Sequence, residues 1–315
     1  MTKTAFLFPG QGAQFVGMSK DIAEGSAAAM AAFHAADTIL GGGITDLAWN
    51  GPEEELNKTE NTQPCMMAAE IAALRALEEN GIRADAAAGF SLGEWPALVA
   101  AGVLPYEKAL ELVRLRAGYM QEAVPAGEGG MAVVLGKSAE EVEALCAAVT
   151  SGYIAPSNYN CPGQITVAGE RKGLDEFLKL AQEKGIMAKE LAGSIPSHCR
   201  LMEPAARRLS EAIGEVAFAD AAIPVYANAS GTASTSGEEI RENLIRQLTM
   251  PVLFEQTLYH MIEDGFDTFI EIGPGKVTSG LVKKCAKAKK AKPAVYRAGD
   301  METLIKCLDA LKNDD

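Results

Sequence analysis

Residues 89–93, Gly89-Phe90-Ser91-Leu92-Gly93, constrain this chain more than any other stretch. A serine hydroxyl is a weak nucleophile unless it is held at an exposed turn beside a base. Small residues two positions either side of the serine permit a sharp strand-to-helix elbow in which larger side chains would clash. The residues that follow, Leu92 to Val99, read as a helix closing at Gly102, with Glu94 in its first turn where negative charge suits the helix dipole. The residues before it, Ala84 to Phe90, suit a short buried strand. Taken alone, the pattern fits a catalytic serine and an ordinary glycine turn equally well.

The surrounding pattern alternates strands and helices. A buried strand over Thr4 to Phe8 runs into a polar glycine loop, Pro9 to Gln14. A helix is expected over Pro64 to Asn80, with Met67, Ile71 and Leu74 on one stripe, Pro64 in its first turn and Gly81 as its stop. Another spans Pro105 to Ala123. Residues 127–196 have a different texture. Strands at 130–135, 153–159, 164–168 and 187–191 interleave with helices at 138–149 and 173–184, with a turn at 160–163. That order, β-α-β-β-α-β, is the split ferredoxin-like unit. The chain is therefore expected to be α/β, with a large body of residues 1–126 and 197–315 and a small inserted subdomain of residues 127–196. In the second half of the body, strands at 224–227, 268–272 and 294–296 alternate with helices at 199–213, 237–248, 254–263, 277–286 and 301–311. Such alternation implies a mostly parallel sheet covered on both faces.

Composition narrows the functional classes. The 315 residues are 48% hydrophobic and 23% charged, enough for a sizeable core. No stretch has the length of a membrane span, and the apolar run at the N-terminus is too short for a signal peptide. The 6 cysteines, Cys65, Cys146, Cys161, Cys199, Cys285 and Cys307, have no paired spacing and read as reduced thiols of a cytoplasmic protein. A net charge of -13 argues against general nucleic-acid binding. No zinc spacing, P-loop or dinucleotide fingerprint occurs, so neither metal nor cofactor is expected. Nothing marks an oligomeric interface, and a monomer is expected.

A serine needs a base, and the chain offers only 3 histidines. His34 lies in an alanine-rich stretch and His260 in a helix; both suit structural or surface positions. His198 sits in Ser194-Ile195-Pro196-Ser197-His198-Cys199, a loop entering a helix that Ser194 or Ser197 would cap. A helix N-terminus disfavours imidazolium and keeps the ring ready to accept a proton, although a plain loop or capping histidine fits the same position. Arg116 shares a helical face with Val113 and Met120, the face expected to be buried. A guanidinium there either makes a structural ion pair or forms a fork for a carboxylate. Gln11 and Gln14 occupy the glycine loop at the end of the first strand, where open α/β sheets bind ligands and where backbone N–H groups can hold an oxyanion. The run Lys283 to Lys292 is the one concentration of positive charge. It reads as a solvated helix end or as a docking patch for an anionic partner.

In combination these segments resemble the malonyl-CoA:acyl carrier protein transacylases of bacterial fatty acid synthesis. The resemblance covers nearly the whole chain. It rests on Phe8-Pro9-Gly10-Gln11-Gly12-Ala13-Gln14, Gly89-Phe90-Ser91-Leu92-Gly93-Glu94, Arg116 with Met120-Gln121, Asn158-Tyr159-Asn160-Cys161-Pro162-Gly163-Gln164, Pro196-Ser197-His198, Arg246-Gln247-Leu248 and Glu271-Ile272-Gly273-Pro274-Gly275-Lys276. It implies a hydrolase-like α/β body with a nucleophile elbow and a ferredoxin-like insertion. It implies Ser91 as the acylated nucleophile, His198 as base, Gln247 orienting the histidine, Arg116 holding the malonyl carboxylate, and Gln11 and Leu92 offering backbone N–H groups to the oxyanion. The implied reaction carries malonyl from malonyl-CoA to acyl carrier protein, with the coenzyme A thioester as substrate rather than cofactor. Such a carrier is acidic, and the lysine run, through Lys283 and Lys284, is where it is expected to dock. Two positions depart from the family pattern. Phe90 stands where many relatives have histidine, and Cys161 where a small residue is usual. An esterase or thioesterase, or a related acyltransferase of polyketide or malonate metabolism, would use the same elbow.

Overall fold

The computed structural model describes residues 2–191 and 193–313. Its central strand is β1 (Thr4–Phe8), paired in parallel with β2 (Ala86–Gly89) on one side. Alternation along these strands supplies both faces of the sheet with apolar side chains. Phe6, Phe8 and Ala87 enter one core cluster, whereas Ala5, Leu7, Ala86 and Ala88 enter the other. Alanine is a poor strand former, yet here it is buried at successive positions of β2. Packing on both faces overrides the intrinsic preference.

The remaining strands are β3 (Gly129–Leu135), β4 (Ile154–Cys161), β5 (Gln164–Glu170), β6 (Met187–Leu191), β7 (Val225–Tyr226), β8 (Ala233–Ser234), β9 (Thr268–Ile272) and β10 (Ala294–Ala298). The large sheet runs β10-β9-β1-β2-β7-β8, parallel except where β8 pairs with β7. The small sheet runs β4-β5-β3-β6 and is antiparallel throughout. Helices Ala139–Ala147 and Arg171–Glu183 complete its β-α-β-β-α-β order, the ferredoxin-like arrangement expected from the pattern. The first of these helices opens on a capping box between Ser138 and Glu141. A seam of main-chain bonds ties the small sheet to the body. Tyr159 N–H donates to Val252 O at 2.8 Å, and Val252 N–H donates to Ser157 O at 2.9 Å.

Several elements differ from expectation for identifiable reasons. The helix expected from Pro64 begins at Thr59 and runs to Glu79, so Pro64 lies inside it. Proline there cannot bond the carbonyl one turn earlier; Arg114 Nη1 donates to that Glu60 oxygen at 2.6 Å instead. The elbow starts as a 3-10 turn, Ser91–Gly93, before the helix Glu94–Ala100. Likewise a 3-10 turn, Arg200–Met202, precedes the helix Glu203–Gly214, and no side chain caps it. Ser194 Oγ instead accepts from Met131 N–H, and Ser197 Oγ donates to Met131 Sδ. Helices Lys20–Gly25, Ala27–Leu40, Ile44–Asn50 and Glu53–Leu56 fill a region where the sequence pattern gave no element. Among the described residues no helix is long and apolar enough to cross a membrane.

The elbow is packed main chain against main chain. A Cβ added at Gly89 would lie 1.9 Å from the Gly93 carbonyl carbon, and one at Gly93 would lie 2.2 Å from Phe8 O. Ser91 itself has φ 54°, in the left-handed region. Gly93→Ala is therefore expected to cost about 3 kcal/mol or more in urea unfolding, because the neighbouring atoms are backbone and cannot step aside. Gly118, in the helix Tyr106–Ala123, has open space around its Cβ position. Gly118→Ala is expected to raise stability by about 0.5–1 kcal/mol, and comparable losses at both sites would contradict this account of the elbow.

Candidate active site

The elbow points Ser91 into a cleft of about 660 Å3 between the two sheets, lined by Gln11, Gln63, Met120 and Leu281 of the body and by Met131 and Asn160 of the small sheet. Ser91 N–H donates to Asn228 Oδ1 at 2.7 Å, and Asn228 Nδ2 donates to Gly89 O at 2.6 Å, so one asparagine braces the turn on both sides of the serine. His198, only 2% exposed, brings Nε2 to 2.6 Å from Ser91 Oγ. Its Nδ1 lies 2.9 Å from Gln247 O, which can only accept. The proton therefore sits on Nδ1 and the Nε2 lone pair faces the serine. His198 has φ 58°, a second left-handed residue at the site.

Burial is the main reason the imidazole stays neutral. It pulls the His198 pKa down to about 4, with Arg116 adding to the effect and the Gln247 carbonyl opposing it. The cause differs from the helix N-terminus expected from sequence. The other histidines lie elsewhere: His34 is exposed, and His260 bonds Gly231 O.

Arg116 is completely buried on the expected helical face. Nη1 donates to Gln63 Oε1 at 2.7 Å, and Nη2 donates to Gln247 Oε1 and Ser91 Oγ, each at 3.0 Å. Nε has no partner. Burial lowers the Arg116 pKa to about 10, against the attraction of Glu94, so the group remains a cation at neutral pH. None of the ion pairs among the described residues includes it. A guanidinium held by neutral oxygens beside a serine hydroxyl has the chemistry to receive a carboxylate.

Gln11 lies at the same cleft, its Nε2 donating to Thr59 Oγ1 at 2.9 Å and its Oε1 accepting from Gln63 Nε2 at 3.4 Å. Leu92 follows the serine and is fully buried. Phe90 packs edge-on against Phe254 with ring centroids 5.2 Å apart, whereas Cys161 is buried in the core cluster that contains Phe254. Sequence reasoning overlooked Gln63 and Asn228, and assigned Glu94 to the helix dipole. Glu94 instead turns inward, 1% exposed, and Oε2 accepts from Gln247 Nε2 at 2.7 Å and from Asn228 N–H at 3.1 Å. Burial raises its pKa to about 7 against those two bonds and the attraction of Arg116. The visible signal for Asn228 was a polar residue just past a strand end, where α/β sheets build sites. The lysine run divides: Lys284 Nζ donates to Gln164 Oε1, a cleft residue, at 2.8 Å, whereas Lys283 borders a separate groove with Lys287, Lys290 and Lys292.

A parallel α/β body with a serine elbow opening between two sheets suits acyl transfer, and residues 5–303 match the family model described as "Acyl transferase domain", which places the chain among the acyltransferases. The chain is 44% identical over 318 residues to the malonyl CoA-acyl carrier protein transacylase of Bacillus subtilis (strain 168), covering 100% of this chain and 99% of that protein. Its fold is similar to the crystal structure of malonyl CoA-acyl carrier protein transacylase from Clostridium perfringens, with a TM-score of 0.94, 38% identity, and 99% of this chain and 98% of that one covered. A solved complex of a type II PKS acyl-carrier protein with its malonyl-transacylase gives a TM-score of 0.93 and 38% identity, covering 98% of this chain and 100% of that one. The chain belongs to the malonyl CoA-acyl carrier protein transacylase family.

The buried imidazole leads to a pH prediction. A base with a lowered pKa stays competent to lower pH, so labelling of Ser91 by a neutral sulfonyl fluoride should be flat from about pH 8 to about pH 5. The rate should fall only as pH approaches about 4. A midpoint near the solvated value of about 6.5 would mean that the ring is open to water.

Proposed function

We propose that the chain carries malonyl from malonyl-CoA to the phosphopantetheine thiol of an acyl carrier protein through a malonyl ester on Ser91. The observation that carries this reading is Arg116, a buried cation 3.0 Å from Ser91 Oγ whose partners are all neutral. The family membership and the names of the relatives support it.

His198 Nε2 takes the Ser91 proton as Oγ attacks the thioester carbonyl carbon. The carbonyl π electrons move onto oxygen, which the backbone N–H groups of Leu92 and Gln11 stabilise by several kcal/mol. The Ser91 N–H is not available for this, because it is committed to Asn228. The oxyanion collapses, the carbon–sulfur bond breaks, and the imidazolium returns the proton to the sulfur of coenzyme A. The carrier thiol then repeats the steps in reverse, giving up its proton to His198 and taking the acyl group from Ser91. Gln247 orients the imidazole through its main-chain carbonyl. Coenzyme A enters as part of the substrate and no cofactor takes part. The large body, residues 1–126 and 197–315, supplies the chemistry, and the small subdomain, residues 127–196, supplies a wall of the cleft. The enzyme works in the cytoplasm as a monomer.

Arg116 selects the acyl group. A malonyl carboxylate meets its donors, and an acetyl group offers them nothing in its place. Arg116→Ala should reduce Ser91 malonylation by about 100-fold or more while acetylation falls much less, both followed by intact mass after mixing with the coenzyme A thioester. An unchanged malonyl preference would remove Arg116 from this role. In the same assay without acceptor, a lasting malonyl adduct separates a transacylase from an esterase, which would turn the thioester over.

Lys283 and Lys284 serve the carrier. Charge reversal at either position should lower kcat/KM for the acidic carrier protein, and added salt should shrink the difference from the parent enzyme. Acylation by malonyl-CoA should keep its rate. An equal loss in both half-reactions would place the effect on stability rather than docking.

A further inference from the structure

The side chain of Gln247 occupies the centre of the site, and its amide has two orientations of nearly identical shape. In the structure Nε2 donates to Ser91 O at 2.9 Å and to Glu94 Oε2 at 2.7 Å, while Oε1 accepts from Arg116 Nη2 at 3.0 Å. The opposite orientation would set the amide oxygen against the Ser91 carbonyl and the Glu94 carboxylate, and the NH2 group against a guanidinium donor. Every contact would then be mismatched. The backbone carbonyl of Ser91 accepts in any case. The carboxylate of Glu94 doubles the preference from a position where it is fully enclosed and fixed by Asn228 N–H at 3.1 Å.

We propose that Glu94 is a positioning residue for acyl selection: by holding the Gln247 amide with its oxygen toward Arg116, it keeps the guanidinium aimed at the space above Ser91. This rests on the reading of Arg116 as the carboxylate grip. Glu94 touches neither Ser91 Oγ nor His198. Beside its direct attraction for Arg116, its influence runs through Gln247 and ends at Arg116, because His198 is held by the main-chain carbonyl of Gln247, which a change in amide orientation leaves in place. The proposal therefore predicts an effect on which acyl group is chosen more than on whether the serine reacts. An acid that merely stabilised the first turn of its helix would affect both acyl groups alike.

The test compares kcat/KM for Ser91 acylation by malonyl-CoA and by acetyl-CoA in the parent enzyme, Glu94→Ala, Glu94→Gln, Gln247→Ala and the double variant Glu94→Ala/Gln247→Ala, with a melting temperature for each. Measured near pH 8, where the Glu94 carboxyl is ionised, Glu94→Ala should lower the malonyl-to-acetyl ratio roughly tenfold, the scale of one charge-assisted hydrogen bond. Glu94→Gln, which retains an acceptor oxygen, should recover most of that ratio. The double variant should match Gln247→Ala, since residues acting in series do not add. A ratio in Glu94→Ala equal to that of the parent, or additive losses in the double variant, would overturn the proposal. If Glu94→Ala does not fold, Gln247→Ala decides: a parental ratio there removes the amide from acyl selection. A parent enzyme with no malonyl preference would instead refute the reading of Arg116 and is recognised from the parent measurement alone.

Discussion

Taking a guanidinium wholly out of water costs several kcal/mol even after relaxation, and a carboxylate partner usually offsets it. Arg116 has no such partner. Its Nη1 and Nη2 donate to two glutamine side-chain oxygens and one serine hydroxyl, each from a different segment of the chain, and its Nε–H has no partner. Gln63 comes from the long helix Thr59–Glu79, Ser91 from the elbow, and Gln247 from the end of the helix Gly237–Arg246. The cation thus draws three elements to one point and remains short of negative charge. Stability and chemistry meet here, because the arrangement that makes burial tolerable leaves a site for an incoming anion.

The elbow and its glycines were readable from sequence because their constraint is local. Gly89 and Gly93 are required by backbone atoms only a few residues away or on the adjoining strand. The small sheet was equally legible, since each of its strands and helices declares itself by period and by caps such as Ser138. The region between residues 15 and 58 was not. All but one of its helices are short, and the longer one, Ala27–Leu40, is rich in alanine, so their stability comes from packing against the core rather than from a strong stripe of their own. Ser26, which caps the helix Ala27–Leu40 by accepting from Ala29 N–H, and Gly41, which ends it in the left-handed conformation, were local signals available there. Arg116 stood out because a charge on an apolar stripe is anomalous. Gln63, Glu94 and Asn228 were hidden because each is one polar residue in an ordinary context, and its importance arises only when tertiary folding seals it from water.

The same difference explains Glu94. From sequence, an acid in a first turn reads as a partner of the helix dipole. Its side chain instead faces the interior, where Gln247 and Asn228 meet it. The histidine, in turn, has a carbonyl rather than a carboxylate behind it. In the proposed exchange this is an advantage. A carboxylate at Nδ1 would stabilise the imidazolium, whereas a neutral dipole leaves it a strong acid that readily returns its proton to the departing sulfur. Thioester and oxygen ester are close in energy, so a reaction that must run in both directions gains from a proton carrier that does not hold the proton long.

Cleft size cannot supply the discrimination that this reaction needs. About 660 Å3 is ample for a phosphopantetheine arm and falls within the range of ordinary ligand sites. Acetyl is smaller than malonyl and fits wherever malonyl fits, so steric exclusion works in the wrong direction. What separates them is one carboxylate, and a site can use that difference only if it pays a penalty when the carboxylate is missing. A solvated lysine would incur almost none, since water would take the place of the anion. A guanidinium sealed among neutral oxygens incurs much more of it, and so under the proposed reading the depth at which Arg116 is buried becomes the basis of selection.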